Sequence, residues 1–110
     1  MKKVISTENA PKAVGPYSQA IEANGFIYIS GQVPLVPATG QIVEGGIEEQ
    51  TVQVMENIKA ILEAAGLTFD NVVKTTCLLS DIGNFQIMNG IYAKYFTENP
   101  PARAAYEVAK

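Results

Sequence analysis

Arg103 follows Pro100-Pro101-Ala102 at the start of a strand-prone run with apolar neighbours. A planar guanidinium in such a place suits bidentate capture of a carboxylate. The competing reading is a surface arginine paired with an acidic side chain, and taken alone the residues favour it. Gly15-Pro16-Tyr17 and Ser30-Gly31-Gln32 flank the two arms of a predicted hairpin. Antiparallel pairing would bring a phenol, a hydroxyl and a glycine amide together there, although turn chemistry plus a core tyrosine explains the same residues. Asn89 and Tyr92 stand three apart, on one face of a predicted helix, where packing plus a surface amide is the plainer account. Cys77 lies mid-strand among apolar residues and reads as a small buried hydrophobe, not a nucleophile. Glu48-Glu49 could hold Mg²⁺, but charge at a helix N-terminus explains them better.

Composition narrows the chemistry further. The 110 residues contain no histidine and one cysteine. Ser-His-Asp and Cys-His systems are therefore excluded, as are ordinary zinc sites within one chain. No phosphate-binding loop occurs, and the glycines do not form GxGxxG. Chemistry here must use carboxylates, Tyr, Ser, Arg, backbone groups and water. The formal net charge of -3, with eight scattered Lys and Arg, argues against nucleic acid and against anionic membranes. A lone cysteine implies no disulfide. No apolar stretch suits a signal peptide or approaches the roughly 20 residues of a membrane span, so the cytoplasm is expected.

The elements that must position these residues follow from local signals. A 110-residue chain is one domain's worth, with 47% hydrophobic residues to build a core. Asn24-Gly25 between residues 17–21 and 26–29 predicts a hairpin, with residues 3–6 as a flanking strand. Residues 31–46, with Pro34, Pro37, Thr39-Gly40 and Gly45-Gly46, read as irregular loop. Val54, Ile58, Ile61 and Ala65 predict a helix over 47–65, stopped by Gly66. A strand is predicted over 72–79. A second helix, capped by Asn84, carries Phe85, Met88, Tyr92 and Tyr95, and residues 102–108 form a last strand.

The predicted class is α+β: a single sheet with two helices packed on one face. Phe26-Ile27-Tyr28-Ile29, Val72-Val73 and Leu78-Leu79 are apolar on consecutive positions, hence on both sheet faces. A second copy of the chain is the simplest cover for the face without helices, so a homo-oligomer is expected. The last strand lies at a sheet edge close to the end of the sequence, and one more strand beyond it is expected.

Together the same residues resemble the reactive intermediate deaminase (RidA/YjgF) family. The resemblance is carried by Ala10-Pro11, Gly15-Pro16-Tyr17-Ser18-Gln19-Ala20, Ser30-Gly31-Gln32-Val33-Pro34 and Gln50-Thr51. It continues through Asn57-Ile58-Lys59-Ala60-Ile61-Leu62, Ala64-Ala65-Gly66-Leu67 and Val72-Val73-Lys74-Thr75-Thr76, to Asn89, Tyr92, Tyr95-Phe96 and Pro101-Ala102-Arg103. It covers essentially the whole chain as one domain, residues 1–110. It implies a chorismate-mutase-like fold, a homotrimer with active sites between subunits, and no metal or cofactor. It also implies hydrolysis of 2-imino acids such as 2-iminobutanoate and 2-iminopropanoate to 2-keto acids and ammonia. By the same resemblance Arg103 binds the substrate carboxylate, Ser30 and Gly31 line the site, and Tyr17 shapes the pocket from the neighbouring subunit, with Asn89 and Tyr92 nearby. Two departures stand out. Many members have a cysteine where this chain has Ala105, which implies a changed pocket lining. The family also continues into a strand bearing a glutamate, whereas this sequence ends at Lys110. Two other functions compete: a non-catalytic module that binds small carboxylates, and a ribonuclease or translation inhibitor.

Overall fold

The computed structural model describes residues 1–109. Its order is β1 (Lys3–Ile5), β2 (Ala20–Ala23), β3 (Phe26–Ile29), α1 (Ile47–Ala64), β4 (Lys74–Leu79), α2 (Phe85–Tyr95) and β5 (Ala102–Glu107). The architecture is the α+β class expected, and among the described residues no helix is long and apolar enough to cross a membrane.

The hairpin forms where Asn24-Gly25 predicts it. Both residues take positive φ, 54° and 79°, the geometry of a tight turn whose twist matches its strands. β1 and β3 flank β2 in an antiparallel sheet, with Ile5 opposite Ala20 and Ala20 opposite Ile29. α1 begins at Gly46, whose amide donates to Glu49 Oε1 at 2.8 Å. It ends as Gly66 turns to φ 75° while Leu67 N–H bonds the Leu62 carbonyl, so two otherwise orphaned end groups are satisfied.

Two expectations are corrected. The β-structure is divided into two sheets, β1-β2-β3 and β4-β5, where a single sheet is predicted. The physical reason is that α1, not a hydrogen-bonded ladder, joins them. Its fully buried Ile61 packs with Ile5 and Ala20, while Met55 packs with Leu79 of β4. Asn84 precedes α2 but makes no capping bond through its side chain. A short 3₁₀ turn, Ile82–Asn84, leads in instead, and Asp81 Oδ1 accepts from the Gly83 amide at 2.8 Å.

α2 is the crossover that allows β4 and β5 to pair in parallel, in register Thr75 with Arg103 and Cys77 with Ala105. Its predicted stripe packs as expected. Met88 and Tyr92 are buried with Met55 and Leu79, and Phe85 and Tyr95 lie against them. The outer faces of the two sheets lack such cover among the described residues. Phe26 and Tyr28, which alternate with the inward-packed Ile27 and Ile29, remain 57% and 63% exposed, and Leu78 and Tyr106 are also exposed.

Two buried amides tie irregular segments to this frame. Asn57 on α1 donates to the carbonyls of Leu35 (2.9 Å) and Val33 (3.4 Å), which fixes the loop after β3. Gln19, 5% exposed, accepts from the Thr7 amide at 2.7 Å and donates to the carbonyls of Thr7, Ala10 and Pro11. Neither amide leaves a buried polar atom unpartnered among the described residues.

Tyr95 links the two helices, donating to Glu56 Oε2 at 2.8 Å beside Phe69. Burial pushes its phenol up to about 12, and the hydrogen bond and charge of Glu56 add to the shift. The unfolded chain therefore releases this proton first, so the contribution to stability is complete below about pH 10. It is lost as pH rises through that range. Urea unfolding across alkaline pH should show this decline, and Tyr95→Phe should flatten it. An identical slope in the variant would contradict the assignment.

Candidate active site

The parallel pairing of β4 with β5 sets Thr75 and Arg103 side by side on the face turned towards α2. On α2, Phe85, Asn89 and Tyr92 recur at i, i+4 and i+7, and therefore form one stripe along the helix. Arg103 lies along that stripe. Its Nη1 donates to Asn89 Oδ1 at 2.7 Å. Its Cζ sits 4.8 Å from the Tyr92 ring centroid and 5.4 Å from that of Phe85, within the range of cation–π attraction. Each of these partners is neutral, so they orient the charge without cancelling it. The Nε–Nη2 edge of the guanidinium is left clear of the Asn89 bond, and a planar carboxylate matches such an edge with two parallel hydrogen bonds.

The second group of predicted residues assembles at the far end of the β2–β3 hairpin, as antiparallel pairing dictates. The Ser30 amide donates to the Gln19 carbonyl at 3.0 Å and the Ser30 hydroxyl to the Ser18 carbonyl at 2.6 Å. That hydroxyl is thus committed as a donor, and what Ser30 offers outward is acceptor capacity. Gly31 is exposed, with no heavy atom within 4 Å of the place a Cβ would occupy. Tyr17 follows a turn closed by its own amide on the Gly15 carbonyl at 2.8 Å, and is 51% exposed. It borders a cleft of about 480 Å³ shared with Thr7, Lys12 and Gln19.

Arg103, Asn89 and Tyr92 are therefore brought together, whereas Ser30 and Gly31 meet the Tyr17 segment only through the bonds of Ser30 to Ser18 and Gln19, and the Tyr17 ring borders the separate cleft with Thr7 and Lys12. No hydrogen bond among the described residues joins one group to the other. Three contributors escaped sequence reasoning. Phe85 reads only as core in a helical stripe, and Thr75 is one β-branched residue in a strand. Gln19 is the buried hub behind Tyr17. The α2 periodicity that marks Phe85 as apolar also places it beside Asn89, and that was the one available signal.

Cys77 lies on the same face as Thr75 and is half-buried. Burial pushes its thiol up, while the Arg103 charge and the Thr75 hydroxyl pull less strongly the other way. A raised thiol is a poor nucleophile. Iodoacetamide at pH 8 should modify Cys77 more slowly in the folded protein than in urea, as followed by mass spectrometry. Equal rates would show an activated, accessible thiolate.

Against this geometry stand the comparisons with known proteins. A family model described as Endoribonuclease L-PSP matches residues 7–110. A RutC family protein of Pyrococcus horikoshii is 58% identical over 110 residues, spanning 100% of this chain and 87% of the relative. The human 2-iminobutanoate/2-iminopropanoate deaminase is 54% identical over 109 residues, spanning 99% of this chain and 80% of its own. The crystal structure of a Rid family protein from Yersinia pestis, 52% identical, matches with a TM-score of 0.94 over 99% of this chain and 87% of that one. By sequence across its length and by fold, the chain belongs to the RidA/YjgF family.

Proposed function

We propose that this protein is a cytoplasmic, homotrimeric hydrolase that converts reactive 2-imino acids, such as 2-iminobutanoate and 2-iminopropanoate, to 2-keto acids and ammonia. One observation carries the reading. The exposed guanidinium of Arg103 is fixed by Asn89, Phe85 and Tyr92, all neutral, and keeps its full charge for a ligand. The deaminase name of the human relative supports the choice of substrate.

The chemistry asks little of the protein. An iminium carbon is already electrophilic, so holding the substrate and orienting one water account for most of the task. Arg103 grips the carboxylate and serves in binding alone. In this reading the amide of the exposed Gly31 adds a neutral donor, and Ser30 and Tyr17 contribute to the pocket wall. Water adds to the imine carbon, the C–N bond of the resulting carbinolamine breaks, and ammonia departs as the keto group forms. Neither metal nor organic cofactor is needed for these steps.

The exposed apolar residues Phe26 and Tyr28 on one sheet, and Leu78 and Tyr106 on the other, are the surfaces we assign to neighbouring subunits. Tyr17 of one copy then faces Arg103 of another, which completes a site that a single chain leaves in two halves.

The endoribonuclease of the family description is the second reading. A net charge of -3 and the absence of histidine count against it, and steeply salt-dependent RNA binding would be its mark. A carboxylate-binding module without turnover is the third.

The test is ammonia release from 2-iminobutanoate generated in situ by a threonine dehydratase. Arg103→Ala should lower kcat/KM by about ten- to a hundredfold, the scale of a lost charge-assisted pair. An unchanged rate in the variant would remove Arg103 from the reaction. No acceleration by the wild-type protein, with keto-acid binding intact, would favour the binding module.

A further inference from the structure

We infer that Thr75 is a positioning residue for Arg103, acting through Tyr92, and that the phenol of Tyr92 serves to fix its own ring rather than to touch substrate. Thr75 Oγ1 and Tyr92 Oη are 2.7 Å apart, the most favourable distance for a hydroxyl pair. Tyr92 is buried, and a buried phenol requires such a partner. With that bond made, the phenol is occupied and only the ring face is presented towards the guanidinium.

The bond also determines where that face lies. The Tyr92 ring packs against Phe96, with centroids 4.7 Å apart, and carries the Arg103 Cζ at 4.8 Å. Met55, Leu79, Met88 and Phe96 pack around the ring without a directional bond to its oxygen. Thr75 on β4 supplies that bond, and β4 is the strand whose register holds Arg103 on β5. The contact is thus a strut between the helix that carries the aromatic platform and the strand pair that carries the cation. An arginine side chain has rotamer entropy to lose on ordering. A platform already fixed in the free protein lowers the part of that cost that falls on ligand binding.

The kinetic part of this inference rests on the hydrolase reading, so the experiment includes measurements independent of turnover. Thr75→Val removes the hydroxyl at nearly constant volume, and Tyr92→Phe removes its partner while keeping the ring. Each should raise the Kd for 2-oxobutanoate, measured by calorimetry, and the KM for 2-iminobutanoate by roughly three- to tenfold, the scale of one net hydrogen bond. kcat should stay within about twofold, because the carboxylate is held alike in ground and transition states. The double variant should be no worse than either single one, and Thr75→Ser, which keeps the hydroxyl, should restore Kd even where its melting temperature is lower.

Wild-type Kd and KM in Thr75→Val would overturn the inference, as would a Thr75→Ser variant as impaired as Thr75→Val. If Thr75→Val does not fold, Tyr92→Phe carries the same test alone. If the wild-type protein neither binds nor hydrolyses these ligands, the hydrolase reading fails. Thr75 is then judged by ¹⁵N relaxation of the Arg103 Nε–H. Increased mobility in Thr75→Val supports the strut, and unchanged order disproves it.

Discussion

The guanidinium of Arg103 is oriented by an amide oxygen at 2.7 Å and by two aromatic rings, and most of the local architecture exists to make that arrangement possible. An arginine beside a carboxylate would be half-neutralised before any ligand arrived. An arginine free in solvent would keep its charge but lose rotamer entropy on binding. Neutral partners avoid both costs. They require that β5 pair in parallel with β4, that α2 cross between them, and that Phe85, Asn89 and Tyr92 recur along one helix face. A one-residue slip of β5 would turn Arg103 to the opposite side of the sheet, away from all three.

The rest of the chain divides along the same line. α1 packs on both sheets, through Ile61 on one and Met55 on the other, so one helix supports both halves of the candidate site. Gln19 and Asn57 then fasten the irregular stretches on either side of the hairpin, which keeps Tyr17 and Gly31 in place without regular structure around them. The outer faces of the two sheets keep large apolar side chains exposed, and it is on this exposure and on the divided site that the proposed association of identical chains rests.

What could be read from sequence was local. Asn24-Gly25 sets its turn by backbone geometry alone, and the i, i+3, i+4 recurrence in α1 and α2 identifies both helices and the buried Ile61, Met88 and Tyr92, but not the buried Thr51 and Asn57 of α1. Arg103 was legible as a candidate anion binder only through its residue type. Its contacts depend on a strand pairing some 28 positions apart (75 to 103), and no local pattern encodes that. The division into two sheets was hidden for the same reason, since strand composition does not specify which edges meet. Asn84 has the right side chain for a cap, but the preceding Asp81 turn already satisfies the entry to α2. Thr75, Gln19 and Asn57 act through hydrogen bonds to groups distant in sequence, and their residue types alone are equally at home on a surface.

The central claim is that an Arg103 half-site and a Tyr17 half-site from different copies complete one active site. The most direct measurement mixes two variants, Arg103→Ala and Tyr17→Ala, each impaired alone, after unfolding and refolding them together. If the halves come from different chains, some interfaces in the mixed oligomers pair an intact Arg103 with an intact Tyr17. Imine hydrolysis should then recover to about a quarter of the wild-type rate, the share expected for random association. Mixed oligomers that form and yet show no more activity than the two variants measured apart would contradict the account.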